Sequence, residues 1–64
     1  MKKKTYYLDG NDFVYCEMDG KLYAYNYVKK TFTLTDDVVD PMTFHSFPES
    51  ELEESIKISE HLFK

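Results

Sequence analysis

Phe13 to Leu34 reads FVYCEMDGKLYAYNYVKKTFTL, and its geometry can be argued residue by residue. Asp19-Gly20 separates two runs that alternate in polarity. This dipeptide suits a two-residue type I′ hairpin loop, because both central residues need positive φ and Asp and Gly tolerate it. With that loop, Met18 pairs with Lys21, Cys16 with Tyr23 and Val14 with Tyr25. Side chains alternate between faces along a strand. One face then carries Val14, Cys16, Met18, Tyr23, Tyr25 and Tyr27, and the other Phe13, Tyr15, Glu17, Leu22, Ala24, Asn26 and Val28. A second turn at Lys29-Lys30, taken again as a two-residue loop, sets Tyr27 opposite Phe32 and Tyr25 opposite Leu34. Phe32 and Leu34 join the tyrosine face, while Thr31, Thr33 and Thr35 fall on the opposite one. Turns placed independently thus sort apolar residues onto a common face, an agreement across levels that supports the register. The tyrosine face is the expected core.

Working outward, Lys3 to Leu8 (KKTYYL) is expected to be a first strand, ended by the turn signal Asp9-Gly10-Asn11-Asp12. The strands are placed at about 3–8, 12–18, 21–28 and 31–35. Asp36-Asp37 closes the fourth, and Asp40-Pro41 breaks regular structure, since a residue before Pro is pushed out of the helical region. Met42, Phe44 and Phe47 form an apolar connection expected to lie across the core edge. The tail, 48–63, reads as a helix. Ser46-Phe47-Pro48-Glu49 and Ser50-Glu51-Leu52-Glu53 both match the capping-box pattern, and Pro is favoured in a first turn. Leu52, Ile56, Ser59 and Phe63 recur at helical spacing with Leu62 beside them. Ser55 and Ser59 would let the helix approach the sheet closely. The expected fold class is α+β: an antiparallel β-meander of three to four strands with one C-terminal helix packed on one face.

The chain has 64 residues, which bounds it to one small domain. Cys16 is the single cysteine, so no disulfide forms within the chain. At an inward strand position it is expected to be a small buried hydrophobe. A lone thiol fits a reducing compartment, so a cytoplasmic protein is expected. No apolar run approaches the roughly 18 residues needed to span a bilayer, and the basic start MKKK lacks the apolar segment of a signal peptide. Net charge is −4, and the distribution is polarised. Between Asp36 and Glu54 there are seven acidic residues and no Lys or Arg. Nucleic-acid binding wants a basic face, so neither direct nucleic-acid binding nor an anionic membrane is expected.

Catalytic chemistry would start from Cys16 with His45 or His61 as base, but a reactive Cys needs a thiolate-favouring site. Cys16 is mid-strand and inward, and neither His sits in a recognisable motif. Metal binding needs three or four suitably spaced ligands, whereas Cys16, His45 and His61 are scattered. Gly10 and Gly20 are the only glycines and both lie in expected turns, so there is no phosphate loop. Catalytic residues, metal and cofactor are therefore all expected to be none, and the protein is not expected to be an enzyme.

Six Tyr and five Phe are a large share of so short a chain. They either build a small core quickly or leave some Tyr outward as binding anchors. One helix cannot cover both sheet faces, so Phe13, Tyr15, Leu22 and Val28 are candidates for a homodimer face. The alternative is that the first strand and the segment from Met42 to Phe47 cover it. The acidic set Asp36, Asp37, Glu49, Glu51, Glu53 and Glu54 is either a solvated face or a surface that fills a basic cleft of a protein partner, copying a phosphate backbone.

The span DGKLYAYNYVKKTFTL resembles the centre of a WW domain in its turn, Tyr-rich second strand, Asn and following Thr. It covers about a quarter of the chain and lacks both signature Trp, with Phe13 and Leu34 roughly in their places. DGKLYAYNY also resembles a stretch in small acidic phage inhibitors of uracil-DNA glycosylase, which are DNA mimics of comparable size. The functional expectation is a small acidic protein that binds and modulates another protein, as phage or mobile-element inhibitors do. The alternative is a homodimeric structural or oligomerisation domain.

Overall fold

The computed structural model describes residues 3–62. Five strands, β1 (Lys4–Leu8), β2 (Val14–Met18), β3 (Lys21–Asn26), β4 (Thr31–Leu34) and β5 (His45–Phe47), form one antiparallel sheet in the order β4-β3-β2-β1-β5. A single 3-10 turn, Glu49–Glu51, leads into helix α1, Leu52–Leu62. The fold is α+β, with five strands where three to four are expected from sequence. The expected helix end at Phe63 lies outside the described residues.

The β2–β3 hairpin forms as its sequence demands. Asp19 has φ 56° and Gly20 φ 74°, and the pairs Met18–Lys21 and Cys16–Tyr23 follow. Nothing lies within 4 Å of a Cβ added at Gly20. Gly20→Ala is therefore expected to cost about 1–2 kcal/mol through backbone strain alone, read as a lower urea midpoint with unchanged slope.

The β3–β4 turn is longer than the expected Lys29-Lys30 loop. Asn26 pairs with Thr31 and Tyr25 with Phe32, so residues 27–30 form the loop. Asn26 explains it. Its side-chain oxygen accepts from the N–H groups of Val28 (3.0 Å) and Lys29 (2.9 Å), and its carbonyl accepts from Lys30 N–H (2.7 Å). Lys30 takes the left-handed conformation, φ 57°. The shift is by two residues, so the faces survive: Phe32 and Leu34 stay with Tyr23 and Tyr25. Tyr27 and Val28 leave the strand.

The first face carries Tyr6, Val14, Cys16, Tyr23, Tyr25 and Phe32. Tyr6 and Phe32 come from strands separated by β2 and β3, about 14 Å apart in a flat sheet, yet their ring centres are 6.1 Å apart. The rings therefore lean towards each other across the face, tilted by 42°. Phe47 stacks on Tyr6 from the other side at 6.0 Å. Helix α1 covers this face. Ser59 is 0 % exposed, Val14 1 %, Cys16 5 % and Tyr6 7 %. Ser59 Oγ accepts the Tyr27 hydroxyl proton at 2.6 Å and shares its own proton between the carbonyls of Ser55 (3.0 Å) and Ile56 (3.1 Å). The small residue at the centre of the helix's inner side thus brings the backbones together. Leu34, expected in the core, lies on the outer strand and is 61 % exposed.

Because β4 and β5 are opposite edges of the sheet, the chain between them must cross it. It crosses the second face. Thr35 N–H bonds Leu22 O (2.9 Å), Asp40 organises a turn by accepting from Met42 and Phe44 N–H, and Phe44 lands on Tyr15 (4.9 Å) and Tyr7 (6.0 Å). The chain then enters β5, which pairs Tyr6 with Phe47 and Leu8 with His45. So the apolar connection packs as expected at Phe44 and Phe47, but Met42 is exposed and its last residues are a strand. Neither capping box forms: Ser46 is in β5, and Ser50 lies inside the 3-10 turn, which starts at Pro48 with no side-chain cap.

Candidate functional site

None of the six Tyr stands fully exposed. Tyr6 is buried, and Tyr7, Tyr15, Tyr23, Tyr25 and Tyr27 are half-buried. Tyr25 meets Tyr27 at 5.0 Å and Phe32 at 5.2 Å, both edge-on. The aromatic surplus is used in packing, where tilted and edge-to-face rings are favourable.

Phe13, Tyr15, Leu22 and Val28 do not form one exposed face. Leu22 is 4 % exposed, Tyr15 lies under Phe44, Phe13 is half-buried, and Val28 is 93 % exposed in the β3–β4 loop. The alternative expectation, that the segment from Met42 to Phe47 covers this face, fits Phe44 against Tyr15 and Tyr7. A connection from one sheet edge to the other supplies a cover that residue alternation within strands does not reveal.

Cys16 sits mid-sheet opposite Tyr6 and Tyr23 as a free thiol. Burial pushes its pKa up; Lys4 opposes this and Glu49 adds to it. A thiol held protonated is a poor nucleophile. Among the described residues, no group of three or more His, Cys, Asp or Glu could hold a metal ion. Nor is any described helix long and apolar enough to cross a membrane.

The six candidate acidic residues are all exposed, but the fold splits them. Glu49 stands on the first face, where it accepts the Tyr6 hydroxyl proton at 3.2 Å. Burial and then this bond raise the Tyr6 pKa. Asp37 stands by the second face: burial, then Asp9, then Asp37 raise the Tyr15 pKa. Asp36 and Asp37 follow β4 in a turn in which Thr35 Oγ1 accepts from Asp37 N–H (3.0 Å). The pair therefore does not join the helix carboxylates in one surface. What remains together is Glu49, Glu51, Glu53 and Glu54, at the start of the helical segment. Charge there is favoured by the free N–H groups of a helix start. A shallow depression beside them is lined by Ser50, Glu53, Glu54 and Lys57, so Lys57 offsets part of the negative charge. A larger groove of about 520 Å³ lies between the start of β1 and the end of β5, with Lys3, Lys4, Tyr6, Phe47 and Glu49 in its walls.

Comparison of the chain with protein-family models, curated proteins and solved structures found no match.

Proposed function

We propose that the chain is a non-enzymatic binding protein that sets the acidic start of its helix into a basic cleft of a partner protein and modulates it. The observation that carries this reading is the cluster Glu49, Glu51, Glu53 and Glu54. It is exposed, and it is anchored to the sheet by the Tyr6–Glu49 bond. A rise of about 1.5–2 Å per residue puts the four carboxylates at roughly one charge per 3 Å of axis. A single strand of duplex DNA carries about one per 3.4 Å. That similarity supports imitation of a phosphate backbone, as in phage-type inhibitors. Cytoplasmic residence belongs to the same proposal, supported by the free, buried Cys16.

Glu51, Glu53 and Glu54 make no contact on which the sheet depends, so E51Q/E53Q/E54Q should leave the fold intact, each change within about 0.5 kcal/mol. Glu49 is left in place because it holds Tyr6. The expected result is a partner that wild type captures from lysate at low salt, that high salt releases, and that the triple variant binds about tenfold more weakly, chiefly through slower association. Equal capture by both proteins with a flat salt response would overturn the reading.

A further inference from the structure

Strand β4 ends the sheet and lacks two of the usual protections of an edge. It contains no charge and no proline. The other edge, β5, has three residues and is followed at once by Pro48, which has no N–H to offer. The Thr35–Leu22 bond shows which way the β4 backbone points. In an antiparallel ladder, hydrogen-bonded and non-hydrogen-bonded pairs alternate. Thr31, Thr33 and Thr35 therefore direct their N–H and C=O groups at β3, and Phe32 and Leu34 direct theirs at the open edge.

The sequence around this edge, Lys29-Lys30-Thr31-Phe32-Thr33-Leu34-Thr35-Asp36-Asp37, is complementary to itself when read in reverse. Centred on Thr33, an antiparallel copy sets Phe32 against Leu34 and Thr31 against Thr35, and brings the Lys29-Lys30 turn of one copy beside the Asp36-Asp37 turn of the other. The register also satisfies the backbone, because it places the outward groups of Phe32 opposite the outward groups of Leu34. We infer that β4 pairs with β4 of a second copy of this chain about a two-fold axis through Thr33, joining two five-stranded sheets into one. The interface is isologous, so each contact occurs twice. Leu34, 61 % exposed in the single chain, is covered by Phe32 of the second copy. Threonine pairs across the strands and opposite charges at both ends add to the pairing. Sliding the register by two residues in either direction keeps the outward groups in phase but leaves one hydrogen-bonded pair of β4 residues instead of two, and it separates the charges, so backbone and charges select the same register.

This dimer uses neither the covered second face nor the acidic helix start, and it stands or falls independently of the partner-binding proposal. A four-residue edge covers less than the about 1,200 Å² of tight complexes, so association in the high-micromolar range is expected.

The test is sedimentation of the full chain from about 10 µM to 1 mM with charge-reversed variants. K29D/K30D places acid against acid at both ends, and D36K/D37K places base against base. All four positions are exposed, and Asp tolerates the φ of 57° at position 30 better than Lys, so both variants should fold, as circular dichroism will show. Each variant alone is expected to dimerise about tenfold or more weakly than wild type. An equal mixture of the two should recover dimers, since each strand then meets its charge complement at both ends. Wild type sedimenting as a monomer at 1 mM in low salt would overturn the proposal. So would variants that dimerise as well as wild type, a mixture that recovers nothing, or open-ended polymers, which would signify pairing of β4 with β5.

Discussion

Val14→Ala is expected to cost about 2–3 kcal/mol, the loss of two buried methyl groups together with the space they leave. Val14 is 1 % exposed at the centre of the first face, where β2 passes beneath α1. Folded domains hold about 0.05–0.15 kcal/mol per residue, or roughly 3–10 kcal/mol for a chain of 64 residues. This one change therefore removes a large share of the total. The measurement is the urea midpoint with an unchanged slope. Val28→Ala is the control: Val28 is 93 % exposed in the β3–β4 loop and should change stability by less than about 0.5 kcal/mol. Equal effects at the two positions would mean that the helix does not cover Val14.

Ser59→Leu is expected to cost about 3 kcal/mol or more. Ser59 is 0 % exposed, so added carbons have no space and must push the helix off the sheet. The hydroxyl that receives the Tyr27 proton is lost as well. Ser59→Ala separates the two effects. It keeps the close approach and removes only the hydroxyl, and because Tyr27 is half-buried, water can reach its OH. A cost of about 1 kcal/mol is expected there. Amide exchange should show the difference locally, with Ser59→Leu loosening α1 before the sheet. If Ser59→Leu proved no worse than Ser59→Ala, Ser59 would not be the closest point between helix and sheet.

Serine is normally a solvent-facing helix residue, yet here spacing alone placed it on the inner stripe with Leu52 and Ile56. The type I′ turn was equally legible, since few dipeptides other than Asp-Gly tolerate two successive positive φ values. The length of the next turn was not. Lys29 and Lys30 carry no local signal for left-handed backbone, and the residue that builds the loop is Asn26, through its side chain. Asn at the first position of a turn is a known preference, so the signal was present three residues upstream of the expected loop. The acidic candidates were legible as a set but not as an arrangement, because adjacency along the chain does not say on which side of a sheet a residue ends up.

Alternation of polarity, Asp19-Gly20 and the helical spacing of the tail determined by themselves the antiparallel meander, its buried face with Val14 and Cys16, and the closing helix. These are local rules, each acting within a turn or a strand pair. Only the tertiary structure decided that β4 and β5 lie at opposite edges, that the chain between them sets Phe44 on Tyr15 and Tyr7, and that Asp37 is divided from Glu49. A three-residue strand such as β5 is too short to carry a periodic signal. It exists because Phe47 finds Tyr6 and Phe44 finds Tyr7 and Tyr15, contacts between residues far apart in sequence.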